Sequence, residues 1–91
     1  MIDVMSLQQL QYFVAVAEEE HVTRAAERLR ISQPPLSRQI QLLEDELGQP
    51  LFERRGRGIV LTEFGRYFAA RASAILDHVE SVLVDSKRWP S

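Results

Sequence analysis

Two adjacent prolines in ISQPPLSRQIQLLEDELG, residues 31–48, open a run with helical spacing of its apolar residues. On a wheel of about 100° per residue, one narrow arc holds Leu36, Ile40, Leu43 and Leu47. The N–H groups of a first helical turn have no partners inside the helix, so proline costs little there. The pattern predicts a helix opening at the prolines. Its N-cap is Ser32 or a later residue, and Ser32 is preferred because Ile31 and Leu36 then hold staple positions.

A second helical pattern, HVTRAAERLR, ends only a few residues before this helix. Thr23 is the candidate N-cap, and Ala25, Ala26 and Leu29 are expected to face inward. Two short helices joined by so tight a turn must cross steeply. The spacing therefore predicts a helix-turn-helix.

An earlier helix is expected to begin at Ser6, because Gln9 stands at the spacing of a capping box. Its apolar stripe comprises Leu7, Leu10, Phe13, Val14 and Ala17. The acidic run that reaches Glu20 is unfavourable at the negative end of a helix and predicts its boundary.

Composition limits the class of protein. Ninety-one residues, 45% hydrophobic and 26% charged, predict one small globular unit, which gains from a partner chain because small domains bury little surface. The absence of cysteine excludes disulfides and thiolate metal sites. No apolar run reaches the roughly 18 residues of a membrane span, and no secretory signal is evident, so a soluble, cytoplasmic protein is expected.

The charges are segregated along the chain. The total of 11 Lys+Arg against 13 Asp+Glu, a net charge of −2, argues against a polyanionic partner. Arginines nevertheless concentrate between residues 24 and 38 and again at residues 54–57, whereas the acids cluster elsewhere. This distribution predicts one basic face on an acidic protein, with ordinary solvated faces as the alternative.

The outward face of the proline-led helix suits DNA bases. Opposite its apolar arc lie Pro34, Arg38, Gln41 and Asp45, with Ser37 on the flank. Arginine can bond guanine bidentately, glutamine can do so with adenine, and small apolar groups can contact a thymine methyl. The face predicts a helix that enters the major groove. The alternative is a solvated polar face without any base contacts.

The following stretch, PLFERRGRGIVLT, predicts two short strands near Leu51–Arg54 and Ile59–Leu61 around the turn RGRG. Three arginines, Arg54, Arg55 and Arg57, crowd the tip of this hairpin. Like charges so close together repel unless an anion lies nearby. The hairpin is therefore predicted to be a wing that contacts phosphates or a minor groove, rather than a solubilising loop.

Thr62 is predicted to cap a last, long helix that reaches about Lys87. A heptad seam and a second line beside it comprise Phe68, Ala72, Ile75, Leu76, Val79, Val82 and Leu83. About 26 residues at 1.5 Å each span roughly 39 Å, more than the small domain covers. The seam therefore predicts contact with another chain, with packing on the first helix as the alternative.

Residues 7–65 resemble the N-terminal DNA-binding domain of LysR-type transcriptional regulators. The matching fragments, in order and without gaps, are YFVAVAE, TRAAERL, SQPPLSRQI, LLEDELG, LFERR and LT followed by a glycine. The resemblance implies a mainly α, winged helix-turn-helix domain over residues 1–61 and a dimerising linker helix over 62–88. It also implies a bacterial transcription factor that binds an interrupted dyad in double-stranded DNA as a homodimer or tetramer.

The resemblance also implies roles for individual residues. The segment from Ser32 to Gln39 would enter the major groove, the wing arginines would approach the minor groove or backbone, and Thr23 and Arg24 would contact phosphates. The candidate DNA-binding residues are Thr23, Arg24, Ser32, Gln33, Pro34, Pro35, Ser37, Arg38, Gln41, Arg54, Arg55 and Arg57. The family's C-terminal domain, which senses a small-molecule effector, is expected to be absent from this chain.

Two departures from the family pattern stand out. Glu63 and Phe64 occupy the junction where proline and alanine are usual, which leaves the exit of the linker helix and the half-site spacing open. His21 and Val22 replace small residues before the second helix, which puts the phosphate contacts there in doubt.

Two other functions remain as alternatives, and a third is not expected. Another winged-helix regulator, such as the molybdate-responsive type, would share this DNA-binding half. A dimerisation module without specific DNA readout would need only the heptad seam. An enzyme is not expected, since His21 and His78 are far apart, no phosphate-binding glycine loop is present and the acids lack metal-ligand spacing. No cofactor and no metal are expected.

Overall fold

The computed structural model describes residues 5–90, so the first four residues of the predicted 1–61 domain lie outside the described residues. Six elements follow one another along the chain: α1 (Leu7–Glu19), α2 (Val22–Leu29), α3 (Gln33–Leu47), β1 (Phe52–Arg55), β2 (Gly58–Leu61) and α4 (Glu63–Lys87). The expected winged helix-turn-helix is confirmed, and each strand lies within one residue of its predicted bounds.

Helix α1 begins and ends where the sequence predicts. The Ser6 hydroxyl accepts a hydrogen bond from the Gln9 N–H at 3.0 Å, and the Gln9 side chain accepts one from the Ser6 N–H at 3.1 Å. This reciprocal pair completes the capping box. At the other end Glu20 adopts a left-handed conformation with φ 53°, and the chain turns directly into α2.

The N-cap of helix α2 lies two residues before the predicted one. The N-cap is His21, whose Nδ1 accepts a hydrogen bond from the Arg24 N–H at 3.2 Å. The assignment of Thr23 as N-cap is therefore wrong, because an imidazole nitrogen supplies the acceptor that a hydroxyl usually provides. Thr23 is instead a helical residue with an exposed side chain.

Helix α3 begins after Ser32, as preferred from the sequence, but the Ser32 side chain makes no capping hydrogen bond. An N-cap side chain normally accepts from the second or third helical N–H. Those positions hold Pro34 and Pro35, which have no N–H. The prolines therefore leave the Ser32 hydroxyl without its usual intrahelical partner.

Two clusters of buried residues join the elements. The larger comprises Leu10, Phe13, Leu43, Leu51, Phe68 and Ala72. The second, formed by α1, α2 and α3, comprises Ala15, Val16, Ala25, Ala26 and Leu36. The Phe13 ring lies between those of Phe52 and Phe68, with centroids 5.4 and 5.3 Å away. This arrangement holds α1, α4 and the hairpin together.

The hairpin is a two-stranded antiparallel sheet in which Phe52 pairs with Leu61 and Arg55 with Gly58. Gly56 takes a positive φ of 59° in the turn, a conformation that glycine adopts without strain. The turn places Arg57 at the tip of the wing.

Helix α4 starts inside the core and ends outside it. The Thr62 hydroxyl accepts from the Gly65 N–H at 2.9 Å, as predicted for an N-cap. Phe68 and Ala72 are 8% and 0% exposed, whereas Ile75 and Val82 are 41% and 51% exposed. Phe68 and Ala72, predicted as part of the dimerisation seam, thus lie in this chain's own core.

Candidate nucleic-acid interface

The outward face of α3 is where the sequence places it. Leu36 and Leu43 are fully buried, so the helix is fixed in rotation about its axis. Every DNA-binding candidate has an exposed side chain. The candidates lie on this face of α3, at the start of α2 or on the hairpin. On the α3 side these are Ser32, Gln33, Pro34, Pro35, Ser37, Arg38 and Gln41.

The first turns of α2 and α3 are joined by a side-chain hydrogen bond. The Thr23 hydroxyl donates to Oε1 of Gln33 at 3.1 Å, although the two residues are ten positions apart in the chain. The bond links the expected phosphate contact on α2 to the first residue of α3. It also gives the exposed Gln33 amide a defined partner on the protein.

A groove of about 270 Å³ separates the start of α2 and α3 from the hairpin. Thr23, Gln33 and Ser37 line one side, and Arg54 and Arg57 line the other. A neighbouring groove of about 260 Å³ brings Gln41 close to Arg54. The structure therefore gathers part of the predicted set around two neighbouring grooves. The candidates that lie outside both grooves are Arg24, Ser32, Pro34, Pro35, Arg38 and Arg55.

Two contacts from outside the hairpin hold its two strands in place. The Glu44 carboxylate on α3 accepts hydrogen bonds from the backbone N–H groups of Leu51 at 2.7 Å and Phe52 at 3.3 Å. On the other strand the Ile59 N–H donates to the Glu20 carbonyl at 3.2 Å. A Cβ at Gly58 would lie 2.8 Å from that same carbonyl, so the close approach needs glycine.

The arginines differ in their pairing. Arg55 lies 3.6 Å from Glu53 in an exposed ion pair, which screens part of its charge, and within residues 5–90 neither Arg54 nor Arg57 has a carboxylate in ion-pair range. Arg28 is 2.7 Å from Glu18 and 3.3 Å from Glu19. The hydrogen bond that the Arg28 guanidinium donates to Glu18 raises the pKa of Arg28. Arg54 and Arg57 are therefore the wing cations best placed to meet phosphate.

The carboxyl end of the α3 face is more acidic. The Gln41 amide donates to Asp45 Oδ1 at 2.9 Å. This bond occupies one amide hydrogen and leaves the Gln41 carbonyl oxygen facing away from Asp45. We expect the DNA-facing part of α3 to lie towards its amino end, because Glu44 is the first acidic residue within this helix.

A separate apolar groove of about 670 Å³ lies beside α4. Tyr67, Ile75 and Val79 line it together with Phe64 and Leu47. The bulky Phe64, unusual at this junction, is half-buried and stacks on Phe68 with ring centroids 6.2 Å apart. The core thus accommodates Phe64, and the exposed apolar surface begins beyond it.

Sequence reasoning missed the anchoring role of Glu44 and the cap at His21. Glu44 was one of several acids on α3, and its partners lie seven and eight residues away across a loop. No local pattern signals such a contact. The His21 cap carried no such signal either, because histidine is not among the preferred caps and Arg24 does not complete a capping box.

In residues 5–90 no group of three or more His, Asp or Glu side chains could hold a metal ion. No helix in that part of the chain is long and apolar enough to cross a membrane.

Comparison with known proteins gives a family. Residues 7–66 match the family model described as bacterial regulatory helix-turn-helix protein, lysR family. A probable cat1 operon transcriptional activator from Acinetobacter lwoffii is 52% identical over 84 residues, 92% of this chain. The regulator BudR from Klebsiella aerogenes is 60% identical over 72 residues, 79% of this chain. The chain spans 28% of the first relative and 50% of the second.

Solved structures agree with the fold. A crystal structure of BenM_DBD with benA site 1 DNA superimposes with a TM-score of 0.88 at 49% identity, covering 92% of this chain and 98% of that one. A CbnR_DBD–DNA complex gives a TM-score of 0.87 at 45% identity, with 92% and 97% covered. Full-length BenM gives 0.88 at 48% identity, with 96% of this chain and 29% of that chain covered.

Proposed function

Because this chain belongs to the LysR family of bacterial regulatory helix-turn-helix proteins, we propose that it is the sequence-specific DNA-binding part of a transcriptional regulator. The single observation that carries the proposal is the groove in which α3 side chains face Arg54 and Arg57 of the hairpin. It places hydrogen-bonding groups for bases and cations for phosphates on the same surface.

The proposed mode of binding uses both sides of this groove. The segment from Ser32 to Gln39 enters the major groove, where Arg38 and Gln33 meet base edges. Pro34 and Pro35 leave its first turn free of bulky or acidic side chains. Arg24 contacts phosphates, and the Thr23 hydroxyl beside it is hydrogen-bonded to Gln33. Arg54, Arg55 and Arg57 follow the backbone or the minor groove.

Residues 62–88 form the proposed linker helix of a homodimer on an interrupted dyad. Support comes from the exposed apolar residues of α4, namely Ile75, Val79, Val82 and Leu83, with Leu76 half-buried beside them. A second copy would cover this surface. For the whole protein we propose a tetramer, a cytoplasmic location and control by a small-molecule effector bound outside this chain.

The proposal is tested by selecting bound sequences from a random DNA duplex library at low and near-physiological salt. Wild type, Arg38→Ala and the matched control Arg88→Ala, which removes the same charge at the far end of α4, are compared. We expect wild type to recover an interrupted palindrome. Arg38→Ala should lose about 1 to 3 kcal/mol of binding free energy on that site and relax one base preference.

Other outcomes separate the competing functions. Equal weakening of Arg38→Ala on every sequence would make Arg38 a phosphate contact. Recovery of no sequence bias by wild type at either salt concentration would contradict specific binding and favour the dimerisation module. Another winged-helix class is not favoured by the matches, which are to LysR-family regulators.

A further inference from the structure

The hydrogen bond between Thr23 and Gln33 has a consequence for base recognition. It can form because His21 caps α2, which leaves the Thr23 hydroxyl free of any capping role. Both side chains are exposed, and the 3.1 Å contact between them crosses the turn between the two helices. No folding requirement is evident for a bond between two exposed side chains.

A glutamine side chain can present either a donor or an acceptor. Its amide bonds adenine bidentately when the oxygen accepts from N6 and the nitrogen donates to N7. In this chain Oε1 of Gln33 already accepts the Thr23 hydroxyl hydrogen. The Nε2 group lies on the opposite side of the amide and, among residues 5–90, has no hydrogen-bond acceptor.

We propose that Thr23 is a positioning residue for base readout, which holds the Gln33 amide so that its nitrogen is directed to the base. The inference rests on the proposed function, since it concerns the same DNA-facing surface. Gln33 then favours base edges that accept hydrogen bonds, such as guanine O6 and N7 or thymine O4. It disfavours the amino group of cytosine, which offers only a donor.

A phosphate contact by Thr23 makes a different prediction. The backbone carries no sequence information, so loss of such a contact weakens binding equally on all sequences. Loss of a positioning contact changes the preference at one base pair. Base preference therefore distinguishes the two roles where affinity alone does not.

The test uses the chain with Thr23→Val, which keeps the shape and removes the hydroxyl, and Thr23→Ser, which keeps the hydroxyl. Affinities are measured on the selected site and on duplexes that carry each base substitution in one half-site. Gln33→Ala and the double variant Thr23→Val/Gln33→Ala complete a cycle. The base pair at which Gln33→Ala flattens the preference identifies the position that Gln33 contacts.

At that base pair we expect Thr23→Val to reduce the preference about three- to ten-fold, as loss of one hydrogen bond allows. Thr23→Ser should retain it. In the Gln33→Ala background, Thr23→Val should cause no further change in preference. Matching unfolding midpoints for the two Thr23 variants exclude a difference in folding.

Equal weakening by Thr23→Val on all duplexes, in both backgrounds, would overturn the inference and leave the proposed function intact. An unchanged affinity and preference would overturn it as well. If wild type selects no sequence, the proposed function fails and the inference fails with it.

Discussion

The two halves of α4 follow one heptad pattern but have different surroundings. Before residue 73 the pattern is covered by α1 and the hairpin, and Phe68 packs edge-on against Phe13 at 5.3 Å. From Ile75 onwards the same pattern faces outward, with Val82 51% exposed. A heptad pattern thus predicts that a helix face is buried, but it does not indicate whether the same chain or a second chain buries it.

Phe68→Ala should have the largest effect on stability. It removes a ring that contacts Phe13 and Phe64, so we expect the free energy of unfolding to fall by about 3 to 5 kcal/mol. Val82→Ala is the matched control on the outer half of α4. It should change the free energy of unfolding by less than about 0.5 kcal/mol at dilute protein concentration. Urea unfolding monitored by circular dichroism measures both, and equal losses would contradict the division of α4.

Gly65→Ala should have an intermediate effect. A Cβ at this position would press into the Leu51 carbonyl oxygen, which belongs to the backbone and cannot rotate away. We expect a loss of about 1 to 3 kcal/mol in the free energy of unfolding, as for an overpacked site. Ser73→Ala, about two turns further along α4, is the control. An unchanged midpoint in urea for Gly65→Ala would show that α4 can shift away from the hairpin.

Ile75→Glu with Val79→Glu should have the smallest effect on the folded monomer, because both side chains are already exposed. In a dimer the two charges would be buried without partners, which is costly. Sedimentation velocity should therefore shift from dimer to monomer while the circular dichroism spectrum is kept. Gln49→Glu, exposed in the loop after α3, is a control for added charge. An unchanged sedimentation profile of the double variant would mean that the seam does not pair chains.

Local signals predicted most of the fold. The Ser6 and Thr62 caps and the glycine-containing turn of the hairpin each depend on a few neighbouring residues, and the structure confirms them. The predicted cap of α2, Thr23, was wrong. Histidine is a less common N-cap than threonine, yet in this chain His21 is the residue whose side chain accepts the capping hydrogen bond.

The candidate site was predicted residue by residue but not as an arrangement. The exposure of Arg38, Ser37 and Gln41 follows from the helical wheel alone. The bond between Thr23 and Gln33 and the anchoring of the hairpin by Glu44 depend on how separate helices pack, which no short pattern records. The burial of Phe68 and Ala72 likewise depends on where α1 lies over α4.

The double attachment of the hairpin to α1 and α3 gives the protein a stiff frame. One strand is held by the Glu20 carbonyl and the other by the Glu44 carboxylate, so the wing and α3 keep a fixed separation. Because this separation is fixed, the DNA duplex must change its groove width and bend to fit the protein. The energy of that adjustment depends on base sequence. We therefore expect selectivity to extend to base pairs beneath the wing that no side chain touches.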